Sequence, residues 1–344
     1  MKKVLLGMSG GVDSSVSAIL LQKQGYEVIG LTMNLCENDE NIINDAKKVC
    51  EKLNIKHYVL DLKNEFKKYV IDNFISCYKE CKTPNPCVEC NKYMKFGYMY
   101  LKAKELGCDY ISTGHYAIIE YSDIYKRNVL KVAKNILKDQ SYFLYNLNQE
   151  IIDHLLLPLG VYEDKNIIRK IALENSLLVA NKKDSEDICF ILNGNYKEFL
   201  EKNTSINYKK GNIVYKDGSI LGIHNGLYKY TIGQRKGLNV SSNKPLYVLG
   251  FNKEKNELIV GDISDLYKKT FIISDVNWIM NDIIKDDMKV DVKIRYTQKK
   301  CKANIKLEDK YVKVIFEEEQ KSITPGQSAV FYIDDILIGG GKII

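Results

Sequence analysis

Four short apolar runs punctuate the first part of the chain: "KKVLLGM" (2–8), "YEVIGLTM" (26–33), "HYVLDL" (57–62) and "DYISTGH" (109–115). Between them, residues 14–24, 39–53, 64–77 and 91–106 carry apolar side chains at helical spacing. Strand-length runs alternating with helices predict buried, parallel strands with helices on both faces of one sheet, because each crossover helix must cover a face. The same spacing predicts helices over 148–155, 163–175 and 196–202.

The pattern changes near residue 205. "GNIVYKDGSILGIH" places Asp217-Gly218 between two alternating runs, a hairpin signal, and "PLYVLGFNKEKNELIVGD" reads as a second hairpin. From residue 271, "FIISDVNWI", "KVDVKIRYT", "KCKANIKL", "YVKVIFEE", "SAVFYID" and "ILIGGGKI" form a series of short strands joined by turns, which predicts a small closed β-barrel. The expected organisation is an α/β domain over 1–205, a β-rich domain over 206–270 and a C-terminal barrel over 271–344. A chain of 344 residues is too long for one compact core, in keeping with that division.

No apolar run reaches membrane-spanning length, so no membrane partner is expected. The N-terminal "MKKVLLGMSGG" breaks at Ser9-Gly10-Gly11 and reads as a first strand, not a secretory signal. Nine cysteines, an odd number in a large core-forming chain, suit a reducing cytoplasm where they serve as core residues, ligands or nucleophiles. The formal charge of +7 permits a polyanionic partner without requiring one.

"LLGMSGGVDSSVSAILL" sets Ser9-Gly10-Gly11-Val12-Asp13-Ser14 between the first strand and the first helix. Glycines allow a tight turn and close approach, and the helix N-terminus offers unpaired N–H groups, so the loop is suited to an anion such as phosphate. It lacks the Lys-Ser/Thr ending of a Walker loop and the G-x-G-x-x-G of a dinucleotide fold. A plain strand-to-helix turn capped by Ser or Asp is the bland alternative. The six residues resemble the SGGxDS loop of the ATP-pyrophosphatase family, which grips the pyrophosphate of ATP. Asp13, a carboxylate beside phosphates, would then help hold Mg²⁺.

"TPNPCVECNKYMKF" (83–96), "STGHYA" (112–117), "KDQSYFLYNL" (138–147), "DSEDICFI" (184–191), "YTIGQRKGL" (230–238), "IRYTQ" (294–298) and "TPGQSAVFY" (324–332) resemble, in order and over the full length, the tRNA 2-thiouridylase (MnmA) family. The resemblance implies an ATP-dependent tRNA sulfurtransferase. Such an enzyme adenylates O2 of the wobble uridine and replaces that oxygen with sulfur supplied by a donor-protein relay. It implies that Gly7, Met8, Ser9, Gly10, Gly11, Val12, Asp13, Ser14, Met33 and Gly114 bind ATP, that Cys90 is the nucleophile and that Cys189 is the second cysteine, often the persulfide carrier. His115, Lys138, Asp139, Gln140, Arg295, Tyr296 and Gln327 match tRNA contacts, and Asn85, Pro86 and Cys87 match the segment beside the target base. A thiolate carries sulfane sulfur and attacks an activated carbon, and a second cysteine can resolve the persulfide as a disulfide. A nitrogen-transferring synthetase on the same loop is the alternative, but no candidate glutaminase segment is present.

Many family members carry Asp where this chain has Cys87. The resulting C-x-x-C allows Cys87, Cys90 and Cys189 to converge as the three thiolates of a four-iron four-sulfur cluster with one open iron, which favours a cluster over a metal-free persulfide relay. Cys77 and Cys81 extend the run to C-x₃-C-x₅-C-x₂-C, so a zinc knot is a third reading, opposed by the helical pattern over 64–82. Cys36, Cys50, Cys108 and Cys301 read as packing residues.

Overall fold

The computed structural model describes every residue except 38, 178, 180–187, 192–193 and 205–208. Its first sheet contains β1 (Lys3–Gly7), β2 (Glu27–Asn34), β3 (Lys56–Asp61) and β4 (Tyr110–Ser112). The hairpin β5 (Ile118–Ser122) and β6 (Arg127–Lys131) follows, and then the short β7 (Leu155–Leu156). The order is β3-β2-β1-β4-β7, and every pairing in it is parallel. Alternation in β1 sends Leu5 to one face and Val4 and Leu6 to the other, where they meet separate apolar clusters. The first cluster includes Met99 and Ala103, from the helix Met99–Glu105. The second includes α1 (Val12–Lys23), α2 (Glu40–Lys52) and Ile168 and Ala172 of the helix Lys165–Glu174. Helices therefore cover both faces, as the alternation predicts.

Three local expectations change. β3 lies at the sheet edge, not buried, and leaves Tyr58 and Val59 exposed, because among the described residues it pairs with β2 alone. The helix expected over 148–155 is Gln149–Asp153, and the chain then joins the sheet as β7 beside β4. The helices expected over 64–77 and 91–106 each contain a π-helical stretch, Lys67–Ile71 and Asn91–Tyr98. These stretches face each other through Tyr69 and Tyr93, whose rings stack at 4.5 Å. π-helical turns are frequent at functional sites.

The middle sheet holds β8 (Gly211–Tyr215), β9 (Ile220–His224), β10 (Tyr247–Asn252) and β11 (Glu257–Gly261). Both expected hairpins form, and β8 joins β11 in parallel. The C-terminal strands are β12 (Tyr267–Trp278), β13 (Met288–Lys293), β14 (Cys301–Glu308), β15 (Tyr311–Lys321), β16 (Ser328–Ile333) and β17 (Ile336–Ile343). They run β12-β15-β14-β13-β16-β17, and β12 pairs with β17 to close a barrel of six strands. Closure removes unpaired strand edges.

The barrel is not a pendant module. One apolar cluster runs from Leu5, Ile29 and Ile111 of the first sheet through Tyr142 and Tyr145 to Val290, Val314 and Phe331 in the barrel. At Gly340 a Cβ would lie 2.7 Å from the Tyr145 ring, so the glycine lets β17 press onto that aromatic. The hairpin β5–β6 also reaches β17, where Lys131 pairs with Ile336. Among the described residues, no helix is long and apolar enough to cross a membrane.

Candidate active site

The C-terminal ends of β1, β2 and β4 converge where the strand order reverses on either side of β1, the place where open α/β sheets bind ligands. Residues 8–11 link β1 to α1. Gly10 takes φ +63°, and a Cβ there would meet Asp45 at 2.8 Å, so glycine is required for the turn to pack on α2. Gly11 is the N-cap, and no side chain caps the helix. The bland alternative of a turn capped by Ser or Asp is therefore not what forms, and the N-terminus of a 12-residue helix is left to the loop itself. Ser14 Oγ accepts from the Ser9 backbone N–H at 3.2 Å and donates to the Gly11 carbonyl, which holds the loop in shape. A Cβ on Gly114, after β4, would sit 3.0 Å from Asp13 C and Ser14 N, so only glycine lets that segment close against the helix start. Met33 lies near the end of β2.

Asp13 occupies the first turn of α1. Its Oδ1 accepts from the Tyr116 hydroxyl at 2.8 Å, and its Oδ2 faces Lys165 Nζ at 3.1 Å. Sequence reasoning missed both partners. Tyr116 lies inside the quoted "STGHYA", so its proximity was within reach. Lys165 is 152 positions away and carries no local signal.

The second group of residues is built around the five-residue helix Pro86–Cys90, with Asn85 as N-cap and Pro86 opening the first turn. Cys87 is exposed and Cys90 is buried among Phe66, Phe74, Met94 and Phe190. Burial pushes the Cys90 thiol up to about 12, and the charge of Lys95 opposes that rise. Cys87 and Cys189 reach the surface yet sit in recesses dense enough for desolvation to raise both thiols, again against Lys95. Cys36, half-buried, is raised to about 12 by desolvation, and its neighbours include Asp39 and Cys189. Four thiols and one lysine thus share a neighbourhood in which sequence reasoning placed three cysteines and no cation. Lys95 follows Cys90 by five residues, which the π-helical stretch Asn91–Tyr98 brings one turn above it.

The cluster reading requires Cys87, Cys90 and Cys189 to gather as ligands. Among the described residues no group of three or more Cys, His, Asp or Glu stands close enough to hold a metal ion. The residues as placed do not form a cluster cradle, and no zinc knot forms either. Cys77 lies on the helix Asp72–Lys79 with its thiol toward Asn73, while Cys81 lies beyond the helix end at φ +56°. All nine cysteines are free. Of the stretch 184–191, residues 184–187 lie outside the described residues.

The residues matched to tRNA contacts divide by orientation. His115 is buried, its Nδ1 lies 2.7 Å from Thr113 Oγ1, and burial holds its pKa well below the usual imidazole value, so the ring is neutral. Asp139 is turned inward, accepting from the backbone N–H groups of Ala133 and Ser141 and from the Ser141 hydroxyl. Its carboxylate shapes the loop instead of facing solvent. Gln140 ties the same loop to Tyr116 through two hydrogen bonds, 2.7 and 2.9 Å, and Lys138 is half-buried beside it. Tyr296 packs on Phe143 with ring centroids 4.5 Å apart. The Arg295 guanidinium donates to the Ser322 carbonyl and the Thr324 hydroxyl, and Gln327 Nε2 donates to the carbonyls of Thr83 and Pro84. Gln327 therefore holds the chain that leads into the cysteine helix.

Three family models match successive parts of the chain. "tRNA methyl transferase HUP domain" covers residues 2–193, "tRNA methyl transferase PRC-barrel domain" covers 197–262 and "Aminomethyltransferase beta-barrel domain" covers 268–343. The tRNA-specific 2-thiouridylase MnmA 2 of Clostridium botulinum (strain Okra / Type B1) is 48% identical over 355 aligned positions, 99% of each chain. The chain belongs to the MnmA family. Another MnmA, the tRNA-specific 2-thiouridylase of Clostridioides difficile (strain 630), is 46% identical and aligns over 99% of this chain and 98% of its own. Among solved structures, U34-tRNA thiolase NcsA from Methanococcus maripaludis with its [4Fe-4S] cluster covers 58% of this chain and 65% of its own. Its identity is 19% and its TM-score 0.35, too loose to carry an argument.

The thiol electrostatics of this MnmA-family site have a direct consequence. A raised thiol keeps its proton, so the nucleophilic thiolate of Cys90 becomes more abundant as pH rises. Its alkylation by iodoacetamide in the resting protein is expected to climb steadily, without a plateau below about pH 10. Lys95→Met is expected to slow that alkylation severalfold at every pH, because the opposing positive charge is gone. Mass-spectrometric rates at the Cys90 peptide check this. A plateau near neutral pH, or no effect of the substitution, would contradict the environment described.

Proposed function

We propose that the chain is an ATP-dependent tRNA 2-thiouridylase, acting in the cytoplasm on the wobble uridine and releasing AMP and pyrophosphate. The observation that carries this reading is the uncapped start of α1 behind the SGGVDS loop, at the sheet end from which Cys36, just past β2, comes within electrostatic reach of Cys189 and Cys90. Family membership supports the same reaction, since the relatives named above are tRNA-specific 2-thiouridylases.

In this reading residues 7–14, Met33 and Gly114 hold the nucleotide, which when bound supplies the adenylyl group that makes uridine O2 a leaving group. The N–H groups at the start of α1 would face phosphate oxygens of a bound nucleotide, and the helix dipole favours their charge. Asp13 would hold Mg²⁺, and Lys165 neutralises the carboxylate in the resting protein. Sulfur arrives from a donor protein as a persulfide on Cys189, the activated C2 accepts it, and Cys90 resolves the carrier as a disulfide. Lys95 favours the thiolate forms. Since Cys87, Cys90 and Cys189 are not gathered as ligands, no step is assigned to a cluster. Neutral His115 and the Asp139 loop form the wall beside the tRNA path.

Purified protein is expected to release pyrophosphate from ATP only when tRNA is added. A phosphate-coupled assay with and without tRNA decides it. Release driven by ammonia in the absence of tRNA would favour the nitrogen-transferring alternative.

A further inference from the structure

Glu89 lies between the two cysteines of the C-x-x-C helix and is buried, with 5% of its surface exposed. A buried carboxylate next to groups that must become thiolates is costly unless its charge is matched. The match comes from the other end of the chain. Lys342 Nζ, on the final barrel strand β17, lies 2.9 Å from Glu89 Oε1. Desolvation works against the Lys342 charge, yet Glu89 holds its pKa above the ordinary lysine value. β17 is anchored on both sides, with Lys342 paired to Ser328 and to Ser274 in the closed barrel.

A second set of contacts joins the same two parts. The Thr83 N–H donates to the Pro325 carbonyl at 2.9 Å, and Gln327 Nε2 donates to the Thr83 and Pro84 carbonyls at 2.9 and 3.3 Å. At Gly326, φ is +90° and a Cβ would lie 2.9 Å from Thr83 N and O. The barrel turn thus presses on the chain entering the helix, and Lys342 grips the helix itself. Cavities of about 400 and 170 Å³ flank that grip, and both touch Glu89, Asp275 and Lys342.

We propose that Glu89 and Lys342 are positioning residues, through which the C-terminal barrel sets the placement of Cys90 for sulfur transfer. Successive residues on a helix point about 100° apart, so Glu89 faces the barrel while Cys90 faces the aromatic cluster of Phe66, Phe74 and Phe190. Tension on the carboxylate therefore fixes the rotation of the cysteine helix. The claim rests on the proposed function for its catalytic meaning, but not for its geometry.

The test uses the full-length protein. Lys342→Met alone leaves Glu89 buried and unmatched and can cost folding, and Glu89→Gln alone leaves Lys342 with only Asp275, 4.0 Å away. The decisive variant is therefore the neutral double Glu89→Gln/Lys342→Met, compared with the reversed pair Glu89→Lys/Lys342→Glu. For the neutral double, single-turnover sulfur transfer at saturating tRNA and ATP is expected to fall about 10²-fold, the cost of a misplacement near 1 Å. KM for tRNA and the rate of tRNA-dependent pyrophosphate release should stay within about twofold of wild type. Alkylation of Cys90 should become severalfold faster, and the reversed pair should recover both readouts. Wild-type sulfur transfer in the neutral double, unchanged alkylation, or a loss confined to KM for tRNA would each overturn the assignment. Alkylation is measured without tRNA or ATP, so it decides the positioning claim even where the proposed reaction itself fails.

Discussion

Asp13→Asn is expected to lower tRNA-dependent pyrophosphate release by about three orders of magnitude while Tm shifts by only a few degrees. The amide oxygen still accepts from the Tyr116 hydroxyl, which in the native protein donates at 2.8 Å, so the start of α1 keeps its shape. What disappears is the negative charge that Lys165 neutralises at 3.1 Å and that a divalent cation beside phosphates requires. Asp13→Ala should be equally inactive and somewhat less stable, because the Tyr116 hydrogen bond is lost as well. A coupled pyrophosphate assay and a thermal melt measure both effects. Activity within tenfold of wild type in the Asn variant would remove Asp13 from the metal-binding role.

The second large effect concerns the cysteines. Cys90→Ser and Cys189→Ser should each reduce thiolation below detection, at least about 10³-fold, because a hydroxyl neither carries sulfane sulfur nor resolves a persulfide. Pyrophosphate release should survive in both, since residues 7–14, the loop proposed to hold the nucleotide, belong to a separate element between β1 and α1. Cys87→Ser should retain most activity, because Cys87 is exposed and is not gathered with the others as a ligand. Cys77→Ser and Cys81→Ser should be active. Thiolation assays with iron and zinc analysis of anaerobically purified protein test the whole series. Loss of both activity and iron in Cys87→Ser would restore the three-cysteine cluster, and loss of activity with zinc in Cys77→Ser or Cys81→Ser would restore the zinc knot.

The parts of the fold that local rules govern were legible in the sequence. The strand–helix alternation, the loop after β1 and the Asp217-Gly218 hairpin each rest on residues close together in the chain. The hairpin β5–β6 was missed because its turn, residues 123–126, is Asp-Ile-Tyr-Lys, without a glycine or an Asn-Gly pair. The edge position of β3 was also missed, since "HYVLDL" is as apolar as a central strand and only the sheet order reveals its open side.

The candidate site was legible where its residues fall in contiguous motifs and illegible where the fold brings distant ones together. Lys165 on Asp13, Lys342 on Glu89 and Cys36 beside Cys189 are all of the second kind. The motif that reads as a tRNA contact at Gln327 has a structural use too, because its side chain holds the carbonyls of Thr83 and Pro84. The π-helical stretch that brings Lys95 over Cys90 left no mark in the apolar spacing, which fits an ordinary helix equally well.

Nucleoside mass spectrometry of unmodified tRNA, incubated with the purified protein, ATP, Mg²⁺ and a persulfide-generating sulfur source, tests the central claim most directly. The account predicts 2-thiouridine at the wobble position, formed only when ATP is present and matched by an equal amount of AMP. Absence of 2-thiouridine from tRNA that is bound and drives pyrophosphate release, or its formation without ATP, would contradict it.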